Sequence, residues 1–347
     1  MAAAVTAALT LWLRAESRAD ERRTPLVPGD VAKLVAAGIE VVVEKSAHRV
    51  FADAEFAAAG ARLAGTGSWP DAPDSAVVLG LKELPAEPYE LRHRHAFFGH
   101  AYKNQPGARL LLDRFVGGGG ALLDLEYLTD DTGRRLAAFG YWAGYVGAAL
   151  AVLQHAGVLD PPLRPGTREE LDRRLAEVAA GRPRVLVLGA LGRSGTGARD
   201  ALEAAGLPAT GWDVAETRQL DRAAMLDHDV LVNTVLTTQP ARPYLTVEDL
   251  AQPHRLGVLC DVTNDVGSPY NLFPLYTETT SWQEPVLQVS GTDLALIAID
   301  NLPSLLPREA SISFSAELVE PVAGLRTGSA PWRRCLALFH EHATGDD

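Results

Sequence analysis

The chain has 347 residues, of which 47% are hydrophobic and 22% are charged, and its formal net charge is −12. This length predicts two domains, because single hydrophobic cores stop growing at about 250 to 300 residues. The acidic balance excludes a protein with the basic stripe that binds nucleic acid or the cationic face that binds a membrane surface. We therefore expect neither a nucleic-acid partner nor a membrane partner.

The cysteines and the amino-terminal stretch indicate the cell compartment in which we expect the protein. Cys260 and Cys335 are too few for a disulfide framework, and neither lies in a CxxC metal-binding spacing. No positive residues precede the first apolar stretch, as they would in a signal peptide. Arg14 ends that stretch before the roughly 18 apolar residues of a membrane-spanning helix. These features predict a cytoplasmic protein without a metal site.

Strand-like and helix-like segments alternate over residues 1–135. Strands are predicted in LTLWLRAE, IEVVVEKS, SAVVLGLK, RHAFFGHAY and ALLDLEYL. Helices are predicted in TPLVPGDVAKLVAAG and in ADAEFAAAG, the second capped by Asp53. We expect His93 and His95 in an exposed loop, and residues 117–120, GGGG, in a flexible turn. The alternation predicts a parallel, doubly wound sheet.

A long, mostly apolar helix is predicted next, over RRLAAFGYWAGYVGAALAVLQHAG. The Pro-rich stretch LDPPLRPGT then reads as a connector. Thr167 precedes a charged amphipathic helix and has Glu170 three residues after it, which is the pattern of a capping box. A second α/β unit begins at RPRVLVLG.

The stretch VLVLGALGRSGTGARDALEAAG has the order strand, glycine-rich turn, helix. Gly189, Gly192 and Gly195 let the chain reverse tightly and approach a pyrophosphate, while amides at the start of the helix face the anion. Asp213 follows the next short strand, ATGWD, where a carboxylate accepts hydrogen bonds from both ribose hydroxyls and repels a 2′-phosphate. The pattern predicts a dinucleotide site that favours NAD over NADP.

Polar residues also end the next two strands of this unit. Asn233 ends DVLVN and Asp261 ends LGVLCD. Polar side chains at the carboxyl ends of parallel strands line the dinucleotide crevice, although ordinary strand-end polarity explains them equally well. The predicted cofactor-binding set is Gly189, Gly192, Arg193, Ser194, Gly195, Asp213, Asn233 and Asp261.

In the first half of the chain, Lys82 and His100 each close a short apolar run, AVVLGLK and AFFGH. The carboxyl ends of parallel strands share one edge, so these two groups can converge on one cleft. A lysine and a histidine there make an acid–base pair, which Glu83 and Glu126 would tune. Arg23 is a candidate for bidentate binding of a substrate carboxylate, with a surface salt bridge as its alternative.

Several stretches together resemble the saccharopine dehydrogenases of the NAD-dependent, lysine-forming type, in the alanine dehydrogenase and transhydrogenase superfamily. They run in the family's order over residues 11–315 and include LRAESRADERRTPLVP, GLKELP, HAYKNQPG, DLEYLTDDTGRRLAAFGYWAGYVGAAL, VLGALGRSGTGA and IAIDNLPSLLPREAS. The resemblance implies an α/β protein with two Rossmann-like domains, each a doubly wound, mostly parallel sheet, and an active-site cleft between them. The implied substrate domain is residues 1–138 with 305–347, and the implied NAD-binding domain is residues 139–304.

The resemblance also implies a reaction, in which saccharopine, NAD and water give L-lysine, 2-oxoglutarate and NADH. Lys82 would be the base that takes the amine proton, and His100 would activate water for attack on the imine. Glu83 and Glu126 would tune these two bases. The substrate-binding residues implied by the motifs are Arg18, Arg23, Lys103, Arg135 and Asp300.

Other functions remain open from the sequence. One is an alanine-dehydrogenase-like enzyme for a primary amino acid, or another opine-type secondary-amine dehydrogenase. The other is a non-enzymatic, NAD-binding regulatory protein with a decayed substrate site, against which Lys82, His100 and the arginines argue. The stretches DVAETRQL and DVTNDVGSPYN depart from the family pattern. A composition rich in Ala, Arg and Gly indicates a bacterial source, and we expect a monomer or a small homo-oligomer.

Overall fold

The computed structural model describes residues 9–343, except Lys103, Asn104, Pro106, Thr238, Pro240 and Pro269. The chain divides into two compact units. The first comprises the described residues up to Ala138 and from Ala310 onward, and the second is Phe139–Glu309. Each unit has a six-stranded sheet with helices, which confirms the predicted α/β class.

The sheet of the first unit is parallel at every pairing of its described strands. Its strands are β1 (Thr10–Leu13), β2 (Glu40–Glu44), β3 (Arg62–Ala64), β4 (Val77–Leu79), β5 (Arg94–Phe97) and β6 (Ala121–Asp124). Its first helices are α1 (Pro28–Ala36), α2 (Asp53–Ala58) and α3 (Ala108–Gly118). The strand order β3-β2-β1-β4-β5-β6 reverses direction between β1 and β4. In open sheets of this kind, ligands bind outside the carboxyl ends of the strands at such a switch point.

The strands of this sheet form because their apolar runs are buried. All residues of β1 and β4 are buried, as are Val41–Val43 in β2. Parallel strands covered on both faces read as continuous hydrophobic runs, which is why the pattern predicted them.

The prediction for His93 and His95 was wrong. Both side chains are fully buried, with His95 inside β5 and His93 immediately before it. The His93 ring contacts the carbonyl of Ala72 through Nε2 at 3.0 Å, and the His95 ring packs edge-on against Trp69 at 4.9 Å. Burial lowers the pKa of His95 well below its ordinary value, so this ring is neutral and behaves as core. Alternation of histidine with arginine made a buried strand look like an exposed loop.

Two local predictions around α2 and α3 also need correction. The N-cap of α2 is Ala52 rather than Asp53, and the Glu55 carboxylate accepts a hydrogen bond from the Ala52 amide at 2.7 Å. The glycines at 117–120 are not all a turn, because the first two end α3. A Cβ at Gly118 would lie 2.4 Å from the backbone of Leu91, so close packing rather than flexibility requires glycine there.

The second unit has an outer strand that runs against the others. Its strands are β7 (Val185–Leu188), β8 (Ala209–Trp212), β9 (Val230–Asn233), β10 (Val258–Asp261), β11 (Leu287–Gln288) and β12 (Ala295–Ile297). Its helices are α4 (Gly140–His155), α5 (Arg168–Val178), α6 (Arg193–Ala204), α7 (Val214–Thr217) and α8 (Arg222–Leu226). The order is β8-β7-β9-β10-β12-β11, with only the β11–β12 pairing antiparallel among the described strands. The order in which successive strands are added to the sheet reverses between β7 and β9.

Helices α4 and α6 approach each other closely through glycines. A Cβ at Gly144 would lie 1.8 Å from the carbonyl oxygen of Ser194, and a Cβ at Gly197 would lie 1.9 Å from that of Tyr141. Helix α4 begins at Gly140, later than the apolar pattern predicted. The Thr167 side chain caps α5 by accepting a hydrogen bond from the Glu170 amide at 3.3 Å, which confirms the predicted cap.

The chain returns to the first unit within α9 (Pro307–Ala323) and ends its described part with α10 (Ala330–Ala343). Helix α10 contacts the end of β6 through the Cys335 thiol, which lies 3.6 Å from the Asp124 carbonyl, and it contacts α3 through the ring of Phe339, which lies 5.9 Å from that of Phe115. The first sheet is therefore completed by the carboxyl-terminal end of the chain. Short 3-10 turns occur at Trp69–Asp71, Leu125–Tyr127, Ala179–Gly181, Asp249–Ala251, Leu302–Leu305 and Gly324–Thr327.

Candidate active site and cofactor site

The glycine-rich loop after β7 can approach an anion closely. Gly189 has φ +73°, a left-handed conformation that favours glycine, and its amide donates to the carbonyl of Trp212 at 2.8 Å. A Cβ at Gly195 would lie 2.0 Å from the carbonyl oxygen of Gly189. Gly192 is the N-cap of α6, and no side chain caps this helix within the described residues. A helix start of this kind, with glycines before it and no side-chain cap, is the arrangement that binds anions in dinucleotide sites.

An open cavity of about 950 Å³ lies beside this loop. It is lined by Gly189 and Gly192 from the loop, by Asp213 after β8, and by Thr234 after β9. The cavity thus sits at the switch point of the second sheet. Among the sequence-predicted residues, the structure brings these two glycines and Asp213 together, while Arg193 and Ser194 open the adjacent helix α6.

Asp213 ties the glycine loop to the end of β8. Its carboxylate accepts hydrogen bonds from the amides of Leu191 and Val214, both at 2.9 Å, and it caps α7. Glu216 completes that cap by accepting from the Asp213 amide at 2.8 Å. A carboxylate offers about four lone pairs, so these two bonds leave acceptor capacity for a ligand hydroxyl.

Asn233 and Asp261 form a buried network instead of lining that cavity. The Asn233 side-chain amide donates to the Asp261 carboxylate at 3.0 Å, and both residues are 1% exposed. The hydroxyls of Thr263 and Tyr276 also donate to Asp261, at 2.7 and 2.8 Å. This network joins the carboxyl ends of β9 and β10.

In the first unit, the residues after β1, β4 and β5 meet at the switch point of the sheet. The half-buried Lys82 follows β4, and the exposed His100 follows β5. The charge of Lys82 opposes protonation of His100 and favours the ionised forms of Glu83 and Glu21. Lys82 therefore interacts electrostatically with His100, Glu83 and Glu21.

His100 is held by Glu126 from the turn after β6. The imidazole Nδ1 lies 3.3 Å from the Glu126 carboxylate, and this hydrogen bond raises the pKa of His100 against the opposing effect of burial. The Glu126 amide in turn donates to Asp124 at 2.9 Å. Burial raises the pKa of Asp124 to about 6. The site therefore contains a histidine whose charge is set by a carboxylate, beside a second, buried carboxyl group.

Glu83 pairs with Arg18 at the rim of this site. The Arg18 Nε lies 2.5 Å from the Glu83 carboxylate, and both side chains are exposed. Burial raises the pKa of Glu83, but the hydrogen bond and the charge of Arg18 outweigh it and lower the pKa overall.

Arg23 forms a buried pair with Glu21, a residue that the sequence placed in a motif without giving it a role. The Arg23 guanidinium donates from Nε and Nη2 to the two Glu21 oxygens, at 2.8 and 2.7 Å. Burial alone would raise the pKa of Glu21, but Arg23 and the more distant Lys82 hold it at about 2. The only sign of this pair in the sequence was a glutamate followed two residues later by an arginine, in ERR.

The remaining predicted substrate residues come from three separate places in the sequence. Arg135 is exposed at the end of a turn in which it bridges Thr129. Asp300 is exposed in the second unit, after β12. Lys103 lies outside the described residues.

Two searches of the described residues concern metals and membranes. Within residues 9–343, excluding the six undescribed positions, no group of His, Cys, Asp and Glu could hold a metal ion. No helix of the described chain is both long enough and apolar enough to cross a membrane.

Comparison with known proteins identifies the family. Residues 12–146 match the family described as alanine dehydrogenase/PNT, N-terminal domain. A saccharopine dehydrogenase (NAD(+), L-lysine-forming) of Emericella nidulans is 41% identical over 361 aligned residues, covering 95% of this chain and 96% of the relative. That of Neurospora crassa is 42% identical over 355 residues, covering 95% of each chain. This chain belongs to the saccharopine dehydrogenase family.

Solved structures of more distant proteins have the same fold. An L-alanine dehydrogenase has a TM-score of 0.69 at 18% identity and covers 95% of this chain and 93% of its own. A transhydrogenase from Sinorhizobium meliloti has a TM-score of 0.66 at 20% identity, covering 91% and 94%. The two family members above come from fungi, so they do not support the bacterial source that the composition suggested. For this member of the saccharopine dehydrogenase family, the domain boundaries and residue roles stay predictions.

Proposed function

We propose that this chain catalyses the reversible, NAD-dependent oxidation of saccharopine to L-lysine and 2-oxoglutarate. The observation that carries the proposal is the 41% identity to a saccharopine dehydrogenase over 95% of the chain. The cluster of Lys82, His100, Glu83 and Glu126 after neighbouring strands supports it, because the reaction needs two proton-transferring groups in one site.

The second unit would hold the cofactor. The loop from Gly189 to Gly195, with Arg193 and Ser194 opening α6, fits a pyrophosphate because glycine Cβ positions there are blocked. The Asp213 carboxylate would accept hydrogen bonds from the ribose hydroxyls and would repel a 2′-phosphate, which favours NAD over NADP. The exposed apolar side chains of Leu191 and Val214 offer packing for adenine. When bound, NAD supplies the hydride acceptor.

Asn233 and Asp261 would act indirectly in this scheme. Their polar atoms already bond to each other and to neighbouring side chains, so we assign them to holding the ends of β9 and β10 in place. A ligand would then contact the residues that follow, such as Thr234, which lines the cavity.

The first unit would carry the proton transfers. Lys82 takes the proton from the secondary amine as the adjacent C–H bond loses its hydride, which leaves an imine. His100 takes a proton from water as the water oxygen bonds to the imine carbon. Returned to the nitrogen, that proton completes a carbinolamine. His100 then moves the proton of the carbinolamine hydroxyl to the nitrogen, so that the C=O bond forms as the C–N bond breaks, releasing lysine and 2-oxoglutarate. Glu126 raises the pKa of His100 and so strengthens it as a base.

Substrate carboxylates would be bound by cationic side chains. Arg18, Arg23, Lys103 and Arg135 are the proposed contacts, and Asp300 is the proposed contact for an amino group. Arg23 suits this role because Glu21 fixes the orientation of its guanidinium plane.

The purified protein tests the proposal through NADH oxidation at 340 nm, with 2-oxoglutarate and a panel of amines. We expect turnover with L-lysine, and much weaker turnover with ammonia or shorter diamino acids. Oxidation supported by ammonia alone would indicate an alanine-dehydrogenase-like activity instead. Absence of turnover with every amine, with NADH binding retained, would indicate the non-enzymatic alternative.

Two variants test the assigned bases. Lys82→Met and His100→Gln should each lower turnover strongly, to a small residual rate, while their NADH affinity, measured by fluorescence titration, stays that of the wild type. Arg326→Gln serves as a control, because that side chain contacts the backbone of Ala37 at the far end of α1. Wild-type turnover in both site variants would remove these two residues from the mechanism.

A further inference from the structure

The backbone that carries Lys82 is held by a buried ion pair from the end of β1. The Glu16 carboxylate accepts hydrogen bonds from the amides of Leu81 and Lys82, at 2.7 and 2.9 Å. The Arg14 guanidinium donates to the carbonyl of Lys82 through Nη2 and lies 3.3 Å from Glu16 through Nη1. We name this arrangement, Arg14 with Glu16 around the Leu81–Lys82 backbone, the Arg14–Glu16 clamp.

The clamp binds three of the four polar backbone groups of these two residues, and Phe98, which directly follows β5, binds the fourth. Leu81 and Lys82 donate to Glu16, Lys82 accepts from Arg14, and the remaining carbonyl, of Leu81, accepts from the Phe98 amide at 3.2 Å. Lys82 lies beyond the end of β4, where the strand pairing no longer sets its position. The backbone bonds to the end of β5 reach as far as Leu81, and the ion pair takes over from them at Lys82.

The glycine in GLKELP exists because of this clamp. A Cβ at Gly80 would lie 2.3 Å from Nε of Arg14, and the neighbouring atoms of the guanidinium would be almost as close. Arg14 and Glu16 side chains are only 1% and 6% exposed. The sequence LRAE at the end of β1 and the sequence GLK directly after β4 are thus two halves of one arrangement.

Stability does not explain such a pair. Removing two charges from water costs about as much as their attraction returns, so a buried ion pair is on balance a poor source of stability. A fixed geometry is what it supplies here, because guanidinium and carboxylate are planar groups with directed donors and acceptors. We propose that Arg14 and Glu16 are positioning residues for the base, aiming the Lys82 side chain at the reacting amine. This inference rests on the function proposed for Lys82.

A double-mutant cycle tests the inference through turnover. Glu16→Gln keeps the side-chain volume but can accept through only one atom, so one of the two amides loses its partner. We expect its kcat to fall about 10- to 100-fold, the cost of a small misplacement of a catalytic group, with NADH affinity unchanged. In a Lys82→Met background, Glu16→Gln should cause no further loss. An equal loss with and without Lys82 would mean that Glu16 does not act through Lys82, and the proposal would be wrong.

Arg14→Lys is the second variant, and Arg114→Lys is its matched control. Arg114 is also buried and also donates to backbone carbonyls, those of Pro85, Pro88 and Tyr89, but not to the Lys82 backbone. We expect Arg14→Lys to lower kcat and Arg114→Lys to lower only the melting temperature. Equal effects of both on kcat would reduce Arg14 to a general structural role.

A measurement without turnover separates this proposal from the proposed function. Lys82 is one of four lysines in the sequence, so reductive ¹³C-methylation gives an NMR signal for it that Lys82→Met identifies. We expect Glu16→Gln to shift this signal and Arg114→Lys to leave it in place. An unmoved signal overturns the clamp even if the enzyme is active, and a moved signal supports it even if saccharopine is not the substrate.

Discussion

His100 has an unusual backbone, with φ +50°. A non-glycine residue in the left-handed region costs on the order of 1 to 3 kcal/mol and persists only where its surroundings impose it. Here they do, because a Cβ at Gly99 would lie 2.6 Å from Leu122, and the imidazole is tied to Glu126.

Glu126→Gln should lower the pKa of His100. The amide oxygen can still accept a hydrogen bond, but it lacks the negative charge of the carboxylate that now raises the pKa. His100 must be neutral to act as a base, so activity in the oxidative direction falls below its pKa. The acidic limb of the kcat/KM profile should therefore move to lower pH in the variant.

The His100 titration can be followed directly by NMR, with His100→Gln to assign the signal. Glu55→Gln, which only affects the cap of α2, is the control and should leave the titration unchanged. A His100 titration that is the same in Glu126→Gln as in wild type would contradict the assignment.

The Glu21–Arg23 pair should make stability depend on acid. The pKa of Glu21 is about 2 in the folded protein and 4.5 in its ordinary state, so its contribution is complete above pH 4.5 and is lost as the pH falls towards 2. Glu21→Gln leaves Arg23 buried without its anion, which costs about 3 to 5 kcal/mol at pH 7. This difference from wild type should shrink as the pH falls from about 4.5.

Urea unfolding at several pH values measures this effect. Glu40→Gln is the control, because Glu40 pairs with Arg62 at 3.5 Å with both side chains about half exposed. Such a pair is worth less than about 1 kcal/mol. If Glu21→Gln costs no more than Glu40→Gln, the buried pair does not have the strength that its geometry indicates.

At the level of elements, most of the fold was predicted by the spacing of apolar residues and by the residues that start or end helices and strands. The apolar runs located strands such as β1 and β7, and Thr167 located the start of α5. Prediction failed where tertiary packing overrides local pattern, as at His95, which a buried strand accommodates among aromatic rings. The Arg14–Glu16 clamp was also not foreseen, since it requires knowing that β4 crosses over to lie beside β1.

Gly195→Ala should damage the loop between β7 and α6 more than the fold. The new Cβ would lie 2.0 Å from the Gly189 carbonyl oxygen, so the loop must move away from the helix amides. Overpacking of this kind costs about 1 to 3 kcal/mol of stability. We expect NADH affinity to fall at least tenfold by fluorescence titration. Gly181→Ala is the control, because nothing lies within 4 Å of its Cβ position, and an equal NADH affinity in both variants would contradict the loop's role.

At the scale of the whole molecule, the sequence predicted a chemical role for each half of the chain. It did not predict the contacts that hold the proposed site residues in place. Strand-end positions placed Lys82 and His100 at one edge of the first sheet, because parallel strands share an edge; their roles stay predictions. The roles of Glu21 and Glu16 depend on burial and on backbone contacts, which no spacing in the sequence encodes. The same holds for Asn233 and Asp261. The sequence offered both as cofactor contacts, but in the structure Asn233 donates a hydrogen bond to Asp261, and the pair joins the ends of two strands.

The division into two units predicts how a ligand changes thermal unfolding. If NAD binds the second unit, NADH at 100 times its Kd stabilises that unit by about 2.7 kcal/mol. In calorimetry, the transition that melts Phe139–Glu309 should therefore move upward with NADH concentration. Lys82→Met should keep this shift and Gly195→Ala should lose it, because only the second change alters the phosphate loop. NADPH should shift the transition less, since the Asp213 carboxylate would face its 2′-phosphate. Equal shifts with NADH and NADPH would contradict the role of Asp213.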